Sequence, residues 1–181
     1  VKGIVFSEFI ELVEEKFGLE ILDAIIEEAD LPSQGAYTQV GTYDHKELLV
    51  LLDKLSAHSG IDATSLSKIF GEHLLKRFAE LYPQFFVDID NCFDLLKTID
   101  TRVHLEVQQL YPEAELPSFD NMMVNADTMQ LIYQSSRPFS ALAYGLINGS
   151  ASYFGETIDI QMNDQSDAGK SFVVFTLKKR A

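Results

Sequence analysis

The chain has 181 residues, 46% of them hydrophobic, and a formal net charge of -14 at pH 7. This length and apolar content suit one domain, or one domain with a small lobe, and the acidic surface argues against nucleic acid and anionic membranes, which both bind basic faces. A single cysteine, Cys92, excludes an internal disulfide and a Cys-rich zinc site; with no leader-like start and no apolar stretch of bilayer length, a cytoplasmic protein is expected.

Between Ile4 and Phe17 the residues Phe6, Phe9, Ile10, Val13 and Phe17 recur at helical spacing, and Gly18 ends the run. A second helix is predicted from Leu19 to about Ala29, followed by a loop from Leu31 to Thr42. Asp44 can cap a third helix, with Glu47 three residues later in capping-box position, and Gly60 closes it. Asp62 or Thr64 can cap a fourth, in which Leu66, Ile69, Phe70, Leu74, Phe78 and Leu81 recur at three and four residues until Pro83. A long fifth helix is predicted from about Asn91 to Leu110, before Tyr111-Pro112.

After Pro117 the pattern changes. Met122 to Asn125 and Thr128 to Ser135 read as strands joined by a turn at Ala126-Asp127. Pro138 to about Phe154 reads as a helix that Pro138 opens from its first turn. Thr157 to Met162 and Ser171 to Leu177 complete the strands, and Lys178-Lys179-Arg180 is a solvated end. The expected fold class is α+β: a helical N-terminal part, and a C-terminal part with an antiparallel sheet and a helix.

Chemistry concentrates in few places. In Tyr133-x-Ser135-x-Arg137 the pleat of a strand would place a phenol, a hydroxyl and a guanidinium on one face. All three donate hydrogen bonds, and the guanidinium fork suits carboxylates or phosphates. Alone, such a face is ordinary solvated surface. No two of the four histidines have the i, i+4 spacing of a helical zinc site, and there is no Gly-x-Ser-x-Gly or phosphate-binding Gly-rich loop. Cys92, at a helix start with no partner residue, is taken as a packing residue.

His104 stands apart, on a helix face with Val103 and Val107. One reading is a core histidine satisfied by one hydrogen bond. The other is the single axial ligand of a haem iron, which needs a neutral imidazole facing a large apolar cavity and an anchor for two propionates. Tyr133, Ser135 and Arg137 supply such an anchor.

Lys2-Gly3-Ile4, His104, Leu110-Tyr111-Pro112, Pro117, Tyr133-x-Ser135-x-Arg137 and Gly145-Leu146 run through most of the chain in one order. In this the sequence resembles the haem-nitric oxide/oxygen binding (H-NOX) domain family, bacterial relatives of the sensor domain of soluble guanylate cyclase. Val1 stands where members of that family begin with Met. The resemblance implies one domain over residues 1–181, with haem b held between a distal helical subdomain at 1–60 and a proximal subdomain at 61–181. It implies that His104 is the proximal iron ligand, that Tyr133, Ser135 and Arg137 hold the propionates, and that Pro117 presses on the haem and distorts it. Val5, Phe9, Leu74, Phe78, Leu142 and Leu146 would line the distal pocket; periodicity alone makes these six ordinary core. The cysteine-rich zinc site of some relatives does not carry over, because the C-terminal part has no cysteine.

The resemblance also implies a gas sensor without catalysis that binds nitric oxide and carbon monoxide and acts through a histidine kinase or a cyclic-di-GMP enzyme. Oxygen-binding members place a tyrosine five residues after the motif arginine, where this chain has Leu142. Tyr144 is two residues further, rotated by about 200° around a helix. Two other classes compete. A peroxidase-type haem enzyme would need a polar distal group, and the matched positions are apolar. A haem-free module would use the same cavity for an apolar ligand.

Overall fold

Four helices open the chain: α1 (Gly3–Phe17), α2 (Leu19–Ala29), α3 (His45–Ser59) and α4 (Ala63–Leu81). The computed structural model describes residues 1–181. Gly18 and Gly60 end α1 and α3 with φ of 89° and 73°, a backbone region that favours glycine. Asp44 caps α3 by accepting from the Lys46 N–H at 2.9 Å, and Asp62 caps α4 by accepting from the Ser65 N–H at 2.8 Å. The predicted capping box does not close. Glu47 instead turns inward and accepts hydrogen bonds from the Ser33 hydroxyl and, at 2.8 Å, from the Tyr37 hydroxyl. Those hydroxyls replace the water that its buried carboxylate has lost.

The helices share an apolar core that includes Phe6, Phe9, Ile25, Leu48, Leu51 and Leu55. Leu66, Phe70 and Leu74 of α4 belong to it as well, so this packing extends past residue 60.

The helix predicted from Asn91 to Leu110 is divided. Asn91 caps α5 (Cys92–Lys97), a π turn occupies Ile99–Val103, and α6 (His104–Leu110) follows. In the π turn the Val103 and His104 N–H groups reach back five residues, to the carbonyls of Thr98 and Ile99. Such a turn inserts one residue into the helical register and occurs frequently at functional sites. Periodicity reads straight through it, because apolar residues on both sides still recur every three or four positions.

The sheet contains β1 (Ser118–Asn125), β2 (Thr128–Ser135), β3 (Ile158–Asp164) and β4 (Ser171–Lys179) in the order β1-β2-β4-β3, every pair antiparallel. β1 starts four residues before the predicted Met122, since Ser118 to Asn121 pair with Gln134 to Leu131. α7 (Ser140–Tyr153) closes the second core, which holds Met129, Leu131, Tyr133, Val173, Phe175 and Leu177. Pro138 is not in the first turn of α7; it precedes Phe139, the N-cap residue. Cys92 is fully buried in this core, and burial pushes its thiol up to about 12, as befits a packing group. The α+β class is as expected. No helix is long and apolar enough to cross a membrane.

α4 and α7 bring the two cores together. Their backbones meet at Gly71 and Gly145: a Cβ on Gly71 would lie 2.7 Å from Gly145 Cα, and one on Gly145 would collide with the Lys68 carbonyl oxygen. Gly145→Ala should therefore destabilise the fold by about 1–3 kcal/mol through overpacking. Thermal unfolding by circular dichroism checks this; an unchanged midpoint would show that the helices separate without cost.

Candidate functional site

A cavity of about 590 Å³ is walled by both cores, within the range of roughly 300–1,000 Å³ usual for small molecules and cofactors. Val5 of α1, Leu74 and Phe78 of α4, and Leu142 and Leu146 of α7 supply apolar wall. His104, Val103, Val107, Pro117 and Phe119 line another stretch, and Tyr133, Ser135 and Arg137 contribute polar atoms. One predicted wall residue is absent. Phe9 does not line the cavity: it is fully buried in the N-terminal core, edge-on to Phe70 with ring centroids 5.3 Å apart.

His104 is positioned from the π turn. Its Nδ1 lies 2.9 Å from Asp100 Oδ1, and Asp100 Oδ2 accepts the backbone N–H of Phe119 at 2.7 Å. The aspartate thus ties the imidazole to the start of β1. Burial pulls the His104 pKa below the usual histidine value, against the hydrogen bond and charge of Asp100 and a hydrogen bond accepted by the Pro117 backbone carbonyl. The result is a neutral imidazole at neutral pH, with Nδ1 held by Asp100.

The Tyr133-x-Ser135-x-Arg137 group is built differently from a simple strand face. β2 ends at Ser135, and Arg137 lies beyond it. The Arg137 N–H donates to the Ser135 hydroxyl at 3.0 Å, while the Tyr133 hydroxyl donates to the Arg137 carbonyl at 3.3 Å and the Ser171 hydroxyl does so at 2.9 Å. These bonds turn the chain after the strand and present the guanidinium. Arg137 Nη2 donates to Glu115 Oε2 at 2.7 Å and Nη1 to the Glu115 carbonyl at 3.2 Å. Burial raises the Tyr133 pKa, so the phenol stays a protonated donor.

This donor set fits a haem. The neutral imidazole of His104 faces a largely apolar cavity, and the Arg137 cation and the Tyr133 and Ser135 hydroxyls stand along the same cavity. The haem-NO-binding family profile matches residues 2–162. The chain belongs to this family. Among solved structures, it is 36% identical to the A71G mutant of the Fe(II) unliganded H-NOX protein from K. algicida, covering 100% of this chain and 97% of that one with a TM-score of 0.92. It is 40% identical to the H-NOX protein from Shewanella woodyi, solved in solution with IWP-051 in the Fe(II)CO state (99% and 95% covered, TM-score 0.84). An oxygen binding H-NOX domain related to soluble guanylate cyclases, in its oxygen complex, shares the fold at 22% identity (100% and 96% covered, TM-score 0.86). No curated protein sequence matches significantly. H-NOX domains are haem-binding gas-sensor modules, and their gaseous ligands include nitric oxide, carbon monoxide and oxygen.

Polar residues that the sequence reading did not single out include Asp100, which holds the His104 ring, and Glu115 and His45, which line the cavity. Asp100 had a readable signal, because an acid four residues before a histidine on a helix lies beside it. Glu115 and His45 had none, since each reaches its place from a distant loop or helix. Asp100→Ala removes the acceptor of both the Phe119 N–H and the His104 ring. Loss of these bonds should cost the haem-free H-NOX domain about 1–3 kcal/mol, read by urea unfolding; equal stability would mean that water replaces both bonds.

Proposed function

We propose that this H-NOX domain is a haem b-based nitric oxide sensor that acts in the cytoplasm on a separate signalling protein and catalyses no reaction itself. The observation that carries this reading is the partly buried imidazole of His104 on a cavity whose wall from α1, α4 and α7 offers no side-chain hydrogen-bond donor. Val5, Leu74, Phe78, Leu142 and Leu146 are all aliphatic or aromatic hydrocarbon. Tyr144 packs on the second core beneath Lys68 Nζ, 4.1 Å from the ring centroid, and does not line the cavity.

When bound, haem supplies an iron centre that takes up a diatomic gas. His104 would hold it through Nε2, with Asp100 setting the tautomer and orientation of the ring. Tyr133, Ser135 and Arg137 would hold the carboxylates, and Pro117 would bear on the macrocycle. His104 is the first residue of the short helix α6 and follows the π turn. Movement of its ring therefore bears directly on α6, where Leu105 and Leu110 are exposed. Two arrangements of this helix give a bistable element that a ligand can bias. A histidine kinase or a cyclic-di-GMP enzyme would read the change.

Two outcomes test the reading. The purified protein should carry a Soret band that His104→Gly alters or abolishes. Arg137→Ala should speed haem loss by roughly tenfold or more, the value of a charge-assisted hydrogen bond; an unchanged rate would remove Arg137 from the site.

Gas preference follows from the wall. Oxygen gains from a distal donor much more than nitric oxide or carbon monoxide does. The ferrous protein should thus bind nitric oxide and carbon monoxide and show no stable oxygen spectrum in aerated buffer. Leu142→Tyr should produce one. A stable oxygen spectrum of the unaltered protein would sink the claim of selectivity.

A further inference from the structure

His45 opens α3, on the N-terminal side of the molecule, yet lines the same cavity as Arg137. Two contacts aim its ring. Phe139, also in the cavity wall and two residues after Arg137, meets it edge-on with centroids 6.1 Å apart at 89°. On the other side Nδ1 lies 3.3 Å from Asp44 Oδ1, which leaves Nε2 for another partner. The charges around the ring favour an anion. Asp44 favours its protonation, while burial, Arg137, Lys46 and the N-terminal ammonium all oppose it. A carboxylate placed here would relieve the repulsion between the ring and Arg137, and with a carboxylate at each nitrogen the imidazolium donates from both.

We propose that His45 is a further anchor for the carboxylate end of the bound cofactor, supplied by the N-terminal helices. This rests on the haem reading above. The carboxylates then join α3 to the turn after β2, so that cofactor retention and the association of the two cores depend on each other. His45 acts here as a binding residue on the propionates and plays no part at the iron.

The test uses the haem-loaded full chain and follows haem transfer to an excess of a haem scavenger. His45→Ala should accelerate transfer by about tenfold, the value of one hydrogen bond to a charged group. His45→Gln, which keeps a donor, should recover part of the loss. With haem dimethyl ester, whose carboxylates are blocked, the unaltered protein and both variants should release cofactor at the same rate. An acceleration that persists with the ester would assign His45 a purely structural role and overturn the proposal. So would equal transfer rates with ordinary haem while Arg137→Ala and His104→Gly still show their effects. If those two variants also leave haem retention and the spectrum unchanged, the haem site itself is wrong and the proposal falls with it.

Discussion

The cavity exists because two helices touch backbone to backbone. At Gly71 and Gly145 there is no side chain to hold α4 and α7 apart, and the next residues along each helix inherit that closeness. Leu74 and Phe78 on α4 and Leu142 and Leu146 on α7 are carried to the same wall. An α-helix advances 1.5 Å per residue and turns every 3.6 residues. Leu74, Phe78 and Leu142, three or seven positions from a contacting glycine, therefore lie on the contact side, and Leu146 adjoins Gly145. The wall stays hydrocarbon because each residue also belongs to a core-facing stripe.

Polar residues tie the parts of the molecule that this crossing leaves separate. Lys2 donates to the Val40 carbonyl at 2.8 Å and the Thr42 hydroxyl at 3.1 Å, reaches Glu113 at 3.4 Å, and lies 3.9 Å from the Tyr111 ring centroid. It thereby joins the N-terminal segment to the end of α6. Glu8, almost fully buried on α1, accepts from Arg77 Nε at 2.9 Å on α4. A carboxylate buried to that degree needs such a partner, since loss of the arginine would leave an uncompensated charge. On the C-terminal side, Glu115 and Arg137 join the loop before β1 to the turn after β2.

The segment before His104 departs most from regular structure. A π turn leaves a helix less uniformly bonded, and here it brings Asp100 against both the His104 ring and the Phe119 backbone. The imidazole is thus oriented by the same carboxylate that ties the turn to the sheet.

Much of the fold was legible in the sequence because it rests on local periodicity. The helices α1 to α4, the turn at Ala126-Asp127 and the strand segments follow from residue spacing, capping acids and glycine stops. His104 and the Tyr133-x-Ser135-x-Arg137 group were legible as chemistry that lacked a place. What the sequence could not supply are relations between residues far apart in the chain. The closing of α4 on α7, the packing of Phe9 against Phe70, the hold of Glu115 on Arg137 and the approach of His45 to Phe139 all depend on contacts over long separations. The π turn was hidden for another reason, because one inserted residue leaves the three-and-four spacing of apolar positions intact while rotating the face on which His104 stands. Periodicity thus determined which elements form and which faces are apolar. Which of those apolar faces became core and which became cavity wall was decided by helix packing, since a leucine costs the same to expose in either place until a neighbour covers it.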